Sequence, residues 1–233
     1  MKVPVAILAG GLATRLFPLT THTAKALIPI AGKPFAVHQL ELLRRHGFQD
    51  VVFCVGHLGH QVQETLGDGS KFGMRVRYSF DGDLLLGTGG ALRRALPLLA
   101  DRFMVIYGDS YLDCDYDWVL KAHVESARLG LMTVFRNDSR WDRSNVHFEG
   151  GVIRAYDKQN HTAAMAHIDY GLGLFESEVF RHYPDGRPFD LVSVYQHLLL
   201  AGQLTGLEVK TRFYEIGSTA GLKELESLLT TSH

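Results

Sequence analysis

A glycine pair followed by two spaced cations is the part of this chain best suited to chemistry. Leu8-Ala9-Gly10-Gly11-Leu12-Ala13-Thr14-Arg15-Leu16 closes the apolar, strand-like run Val3–Leu8, and Ala24-Lys25-Ala26-Leu27-Ile28-Pro29 follows. Adjacent glycines let the backbone turn without a Cβ clash and aim consecutive N–H groups into one concavity that suits phosphate oxygens. Arg15 and Lys25 add cationic donors beside it. At the carboxyl end of a first strand, where open α/β sheets place their ligands, the combination makes a pocket for a polyphosphate. A glycine turn that merely closes a loop would explain the glycines but leave the two cations without a purpose.

Two later segments place chemistry on the same side of a sheet. Asp83-Leu84-Leu85-Leu86-Gly87-Thr88-Gly89-Gly90 puts glycines at a strand-to-helix junction where backbone must approach a ligand, with Thr88 or a neighbour capping the helix. Phe103-Met-Val-Ile-Tyr-Gly108-Asp109 carries an acid just beyond a buried strand. His57 and His60 have no Cys or carboxylate at ligand spacing and read as solvated loop residues.

The elements that must position these groups alternate. Strands are expected at Val3–Leu8, Val51–Val55, Val76–Phe80, Phe103–Tyr107 and Leu131–Phe135, with helices at Ala36–Arg45, Gly59–Leu66, Thr88–Leu99 and Trp118–Leu129. That order argues for an α/β fold with a mainly parallel, doubly wound sheet. Beyond it, Val146–Glu149 and Val152–Tyr156 flank Gly150-Gly151 as a tight hairpin, followed by a strand at Ile168–Phe175 and helical stretches at Ser177–His182 and Leu191–Ala201. A length of 233 residues suits one domain, read here as 1–233 with a nucleotide half at 1–135 and a second half at 136–233. The net charge of −1 gives no general pull toward nucleic acid or an anionic membrane. Cys54 and Cys114 lack CxxC spacing and read as packed, reduced thiols, and the start Met-Lys-Val-Pro-Val enters a strand directly, so a cytoplasmic protein is expected.

The glycine loop with its arginine and lysine resembles the signature of the sugar-1-phosphate nucleotidyltransferases, Gly-Gly-x-Gly-Thr-Arg-Leu followed by Pro-Lys. Ala13 stands for the third glycine, which a Cβ tolerates if φ stays negative, and Ala24 stands for the proline before Lys25. Leu86-Gly87-Thr88-Gly89-Gly90-Ala91 is similar to the family's Leu-Gly-Thr-Ala-Gly-Ala. The resemblance implies a single-domain, Rossmann-like nucleotide-diphospho-sugar transferase fold with a mixed, mainly parallel sheet. It implies a nucleotide site at Leu8, Ala9, Gly10, Gly11, Thr14, Arg15, Lys25, Asp83, Gly87, Thr88 and Gly108. It implies Mg²⁺ held by Asp109 and by Glu215, the latter standing where the family's Asp-Ile-Gly-Thr has aspartate. A sugar-phosphate site is implied at Asn145, Asp157, Lys158, Asp169 and Gly171, with Asp157-Lys158-Gln159 in place of Glu-Lys-Pro.

The reaction so implied is attack by a sugar 1-phosphate oxygen on the α-phosphorus of a nucleoside triphosphate, with Arg15, Lys25 and Asp109 as the groups that carry it. The phosphate nucleophile, with a second pKa of about 6, is already ionised at neutral pH, so no general base is required. The compact length and the Gly-Gly-Leu-Ala-Thr-Arg variant resemble the heptose 1-phosphate guanylyltransferases of bacterial surface-polysaccharide synthesis, which favours GTP. A glucose 1-phosphate uridylyl- or thymidylyltransferase fits the same motifs, as does a catalytically silent subunit that binds nucleotide-sugar. The family commonly forms oligomers, so a homo-oligomer is open. Asp113-Cys114-Asp115 is also the Asp-x-Asp of nucleotide-sugar-dependent glycosyltransferases, but those lack the glycine loop, and Asp115 and Asp117 suit the start of the helix at Trp118.

Overall fold

The computed structural model describes residues 2–231; the expectation drawn from the Met1 start lies outside them. The first half runs β1 (Val5–Ala9), β2 (Pro29–Ile30), β3 (Lys33–Pro34), α1 (Phe35–Arg45), β4 (Asp50–Val55), α2 (Gly59–Leu66), β5 (Arg75–Phe80), α3 (Gly87–Ala95) and β6 (Arg102–Tyr107). Then come β7 (Ser110–Tyr111), α4 (Tyr116–Ser126), β8 (Gly130–Arg136), β9 (Val146–Glu149), β10 (Val152–Tyr156) and β11 (His167–Glu176). The chain continues through α5 (Glu178–Arg181), α6 (Leu191–Leu200), β12 (Leu204–Val209), β13 (Tyr214–Glu215) and α7 (Thr219–Thr231).

The expected mixed, mainly parallel Rossmann-like sheet is the one observed. Its path is β10-β9-β11-β6-β1-β4-β5, with β8 beside β11 and β12 beside β8. Strands β5, β4, β1 and β6 are parallel, and β11 runs antiparallel to β6 and β8. The chain steps from β1 to β4 and β5 on one side and returns to β6 on the other. The carboxyl end of β1 is therefore the point where strand order reverses, and a crevice opens there.

Alternating side chains feed cores on both faces. Val5, Ile7, Phe53, Val55, Met104 and Ile106 lie in one cluster, and Ala6, Val52, Cys54, Phe103 and Val105 in the other. That period of two, with both faces apolar, is what a sheet sandwiched between helices requires. A third cluster, Leu16, Ile28, Phe35, Ile216 and Leu225, ties the glycine loop's far end to β13 and α7.

Several boundaries moved for identifiable reasons. The helix expected at Thr88–Leu99 ends as α-helix at Ala95 and tightens into a 3₁₀ turn at Leu96–Leu98, where Pro97 cannot donate an N–H. Asp115 accepts the Trp118 N–H at 2.9 Å and starts α4 two residues before Trp118, and Ala127 at φ 51 stops it before Leu129. Strand β11 spans His167–Glu176, with its register shifting between Asp169 and Gly173. The hairpin at Gly150-Gly151 stands as read, both glycines having positive φ. Residues 204–231, for which the sequence pattern gave no element, supply β12, β13 and α7.

Candidate active site

The end of β1 is pressed closely against its neighbours. Gly108 donates its N–H to Leu8 O at 2.9 Å, and a Cβ on Gly108 would stand 2.5 Å from that same oxygen, so only glycine lets β6 turn here. Gly11 faces open space. Ala13 corrects an expectation: its φ is 51°, not negative. An L-residue there carries a cost of about 1–2 kcal/mol. The turn is held by Ala13 O, which accepts from the Leu16 N–H at 3.1 Å and from the Thr20 hydroxyl at 2.9 Å.

A cleft of about 310 Å³ opens at this edge, lined by Leu8, Ala9, Gly10, Gly11, Lys25, Gly87, Thr88, Gly108 and Asp109 from the sequence reading. Asp81, Tyr107 and Leu85 line it too. Thr14 and Arg15 line an adjoining recess that shares Lys25 and reaches Gly217. The two spaces meet at the lysine, so they are continuous in chemistry if not in volume.

Charge concentrates at that junction. Lys25 Nζ donates to Asp109 Oδ2 at 2.6 Å, and the Ser110 hydroxyl donates to Asp109 Oδ1 at 3.3 Å. Glu215 arrives from the other end of the chain because β13 pairs with β7, Glu215 opposite Ser110, and the Ile216 N–H donates to Asp109 O at 2.9 Å. Burial pushes the Glu215 carboxyl above the usual glutamate range, the charges of Asp109 and Asp142 add to that, and Arg15 and Lys25 oppose it. Two carboxylates close to Lys25 and Arg15 suit a hard divalent cation, which needs few protein oxygens when phosphates complete its shell. No group of three or more His, Cys, Asp or Glu is assembled for a metal among the described residues.

The helix α3 junction differs from its reading. Leu86, not Thr88, is the N-cap, and no side chain caps the helix. The Gly89 and Gly90 N–H groups both donate to Phe189 O, at 3.0 and 3.2 Å, and the Thr88 hydroxyl accepts the Leu191 N–H at 2.8 Å. A Cβ on Gly89 would lie 2.3 Å from the Phe189 ring. Gly87, Gly89 and Gly90 thus all admit the 187–190 segment, while Gly87 and Thr88 also line the cleft. Asp83 is exposed and does not line it. Asp81, two residues earlier and directly after β5, does. The signal that could have found it is the one used for Asp109: an acid one or two residues past a parallel strand.

The second half meets the cleft through Tyr107. Its hydroxyl donates to Asp169 Oδ2 at 3.1 Å, the Tyr156 hydroxyl donates to the same oxygen at 3.0 Å, and Asp169 Oδ1 accepts the Gly171 N–H at 3.0 Å. Asn145 Oδ1 accepts the Asp169 N–H at 3.0 Å. Gly171 has φ 91°, and a Cβ there would stand 3.1 Å from the Tyr107 ring. Lys158 is exposed, its ammonium 5.2 Å from the Tyr107 ring centroid. Asp157 makes no hydrogen bond to this network among the described residues: its carboxylate accepts the Gln159 and Asn160 N–H groups at 2.8 and 2.9 Å, closing a turn. Both cysteines are free and buried, and burial raises both thiols well above their ordinary range. His57 and His60 are exposed; His60 lies inside α2 and stacks on Phe80 at 4.6 Å. No described helix is long and apolar enough to cross a membrane.

Comparison with known proteins gives a consistent picture. A family model described as nucleotidyl transferase matches residues 5–188. A UTP–glucose-1-phosphate uridylyltransferase of Synechocystis is 33% identical over 79% of this chain, which spans 52% of that relative's length. An N-acetylmuramate α-1-phosphate uridylyltransferase of Neisseria meningitidis is 29% identical over 95% of this chain and 96% of its own. A D-glycero-α-D-manno-heptose 1-phosphate guanylyltransferase of Campylobacter jejuni is 28% identical over 76% of this chain and 77% of its own. The crystal structure of HddC from Yersinia pseudotuberculosis superposes with a TM-score of 0.82 at 21% identity, covering 98% of this chain and all of the other.

Proposed function

Because the chain belongs to the nucleotidyl transferase family, we propose that it joins a sugar 1-phosphate to a nucleoside triphosphate with release of pyrophosphate. The observation that carries the reading is the convergence, at the carboxyl ends of β1 and β6, of the Lys25–Asp109 ion pair with Glu215, Arg15 and the glycine loop. Every group there either neutralises phosphate or holds a cation that does.

In this reading the loop amides, Thr14 and Arg15 take the β- and γ-phosphates that leave as pyrophosphate. Lys25 faces the α-phosphate, held in place by Asp109. Asp109 and Glu215 would hold Mg²⁺, which when bound offsets the negative charge gathering on the phosphates. Lys158, free of any carboxylate partner among the described residues, draws the incoming sugar phosphate to the mouth of the cleft. Tyr107, fixed by Asp169, forms the wall between the two substrates. Catalysis then rests on alignment and charge compensation rather than on proton transfer.

The substrate pair we propose is GTP with D-glycero-D-manno-heptose 1-phosphate, supplying GDP-heptose for a bacterial surface polysaccharide. The loop variant and the Campylobacter relative support it. The uridylyltransferase relatives support a second reading, UTP with another sugar 1-phosphate. Pyrophosphate release measured with Mg²⁺ across GTP, UTP, dTTP, CTP and ATP, each against mannoheptose, mannose, glucose, N-acetylglucosamine and N-acetylmuramate 1-phosphates, decides between them. Turnover with GTP and the heptose phosphate supports the first pair, and another productive pair keeps the reaction and replaces the substrates. Silence on every pair, with nucleotide-sugar still bound, would leave a regulatory subunit.

A further inference from the structure

The turn that carries Arg15 is held by a side chain that lines neither the cleft nor the recess beside it. Ala13, at φ 51° and ψ 40°, opens the 3₁₀ turn Thr14–Leu16. Arg15 makes no hydrogen bond or ion pair of its own among the described residues, and its guanidinium rests against Gly217, where a Cβ would stand 3.2 Å from Nη2. Backbone geometry therefore decides where that charge sits. Downstream the backbone is fixed, because Leu16 is buried with Ile28, Phe35, Ile216 and Leu225. Upstream it is loosely held: Gly11 faces open space and Leu12 is half-exposed. The grip on this upstream side comes from Thr20, 1% exposed, whose hydroxyl donates to Ala13 O at 2.9 Å beside the Leu16 N–H at 3.1 Å. An Ala13 that relaxed to negative φ would carry its carbonyl away from both donors.

Resting on the reading in which Arg15 and the loop amides take the leaving phosphates, we propose that Thr20 is the positioning residue of this loop: its buried hydroxyl holds Ala13 left-handed and thereby sets Arg15 for the triphosphate. For alanine the left-handed region is disfavoured by roughly tenfold in population, and for glycine hardly at all. A glycine at position 13 would keep the turn unaided. An alanine needs the hydroxyl, so Thr20 and Ala13 act as a coupled pair. A binding geometry that is populated only part of the time weakens its ligand by that fraction. The loss falls on triphosphate and pyrophosphate, which reach Arg15, and spares a nucleoside monophosphate, which ends beside Lys25. Bound phosphates restore the turn, so in turnover the effect lies on the KM for the triphosphate and not on kcat.

The test is calorimetry on the full chain with Mg²⁺, using GTP, UTP, GMP, UMP and inorganic pyrophosphate. Thr20→Val, which exchanges the hydroxyl for a methyl of similar size, should weaken triphosphate and pyrophosphate about tenfold and leave monophosphate within about twofold. Thr20→Ser keeps the hydroxyl and should stay within about threefold of wild type. Introduced together with Ala13→Gly, Thr20→Val should cost no more than about threefold relative to Ala13→Gly alone, a rescue that a residue merely filling the core would not show. The KM for the triphosphate should rise about tenfold in Thr20→Val while kcat stays within about threefold. Undiminished triphosphate binding in Thr20→Val, equal losses for triphosphate and monophosphate, or equal losses with and without Ala13→Gly would each overturn the role of Thr20. If Thr20→Val does not fold, Ala13→Val leaves Thr20 in place and puts a β-branched residue, which tolerates positive φ worst, at the turn; triphosphate binding undiminished in that variant overturns the proposal as well. Wild type that binds neither triphosphate overturns the nucleotidyltransferase reading too, whereas wild-type binding unmoved by the variants removes this inference alone.

Discussion

The end of the cleft proposed for phosphate and the end proposed for sugar are built on opposite plans. At the phosphate end, Arg15 and Thr14 are exposed, Lys25 and Asp109 have mainly each other, and Glu215 is held with its carboxyl disfavoured as an anion. At the sugar end, Asp169 accepts from Tyr107, Tyr156 and Gly171 and is positioned by Asn145, and Asp157 is consumed by its own turn. Highly charged ligands can be met by groups that the protein leaves under-compensated, because the ligand supplies the missing charge. Neutral hydroxyls offer no such return, so the groups facing them are fixed beforehand by internal hydrogen bonds. Mutations at the first end should therefore fall on turnover and at the second on stability.

The largest effect that this contrast predicts is at Asp109. Asp109→Asn should lower kcat/KM by about 10³-fold with the far-ultraviolet circular dichroism unchanged; a variant that keeps most of its pyrophosphate release would break the assignment of the phosphate end. Lys25→Met should cost about 100-fold in kcat/KM, with the midpoint of thermal unfolding moving by only a few degrees, since the ion pair is partly solvated. A collapse of stability in that variant would place Lys25 on the structural side of the comparison.

Asp169→Ala inverts the pattern. Two tyrosine hydroxyls and a backbone N–H lose their acceptor, so urea unfolding should show a loss of about 2–3 kcal/mol, and the KM for the sugar phosphate should rise more than kcat falls. A fully stable Asp169→Ala variant would refute the preorganised plan.

The smallest effect is the most specific. The folded Glu215 carboxyl titrates above its unfolded value of 4.5, so between the two the folded state binds the extra proton and its stability falls as pH rises through that window. Thermal unfolding followed against pH should show that fall in wild type and lose it in Glu215→Gln. Mg²⁺ with nucleotide should recover the stability in wild type and not in the variant. A pH profile identical in the two proteins would detach Glu215 from the charged junction.

Legibility in the sequence followed locality. Glycine spacing and the strand-to-helix alternation are contiguous signals, and they located the loop at Gly10-Gly11, the cations Arg15 and Lys25, and the acid at Asp109 where the fold brings them together. Asp115 was legible as a cap for the same reason, since its partner is Trp118. Ala13 was not: its positive φ depends on the Thr20 hydroxyl across the turn. The glycines after Leu86 read as ligand-facing, yet Gly89 and Gly90 meet Phe189, about a hundred residues later in the chain. Asp83 drew notice for its neighbours, while Asp81, the acid that lines the cleft, is picked out only by where β5 ends.

The sequence by itself determined the fold class and the place of the glycine loop, Arg15 and Lys25 at the edge of the cleft, because period-two apolar runs and a glycine turn act through neighbours a few positions apart. Only the tertiary structure decided which charges meet. Glu215 reaches Asp109 through a two-residue strand pair and a small core shared by Leu16, Ile216 and Leu225, and Asp169 reaches the cleft through a tyrosine on another strand. Those contacts are set by packing between segments far apart in the chain, and packing of that kind leaves no periodic trace in the order of the residues.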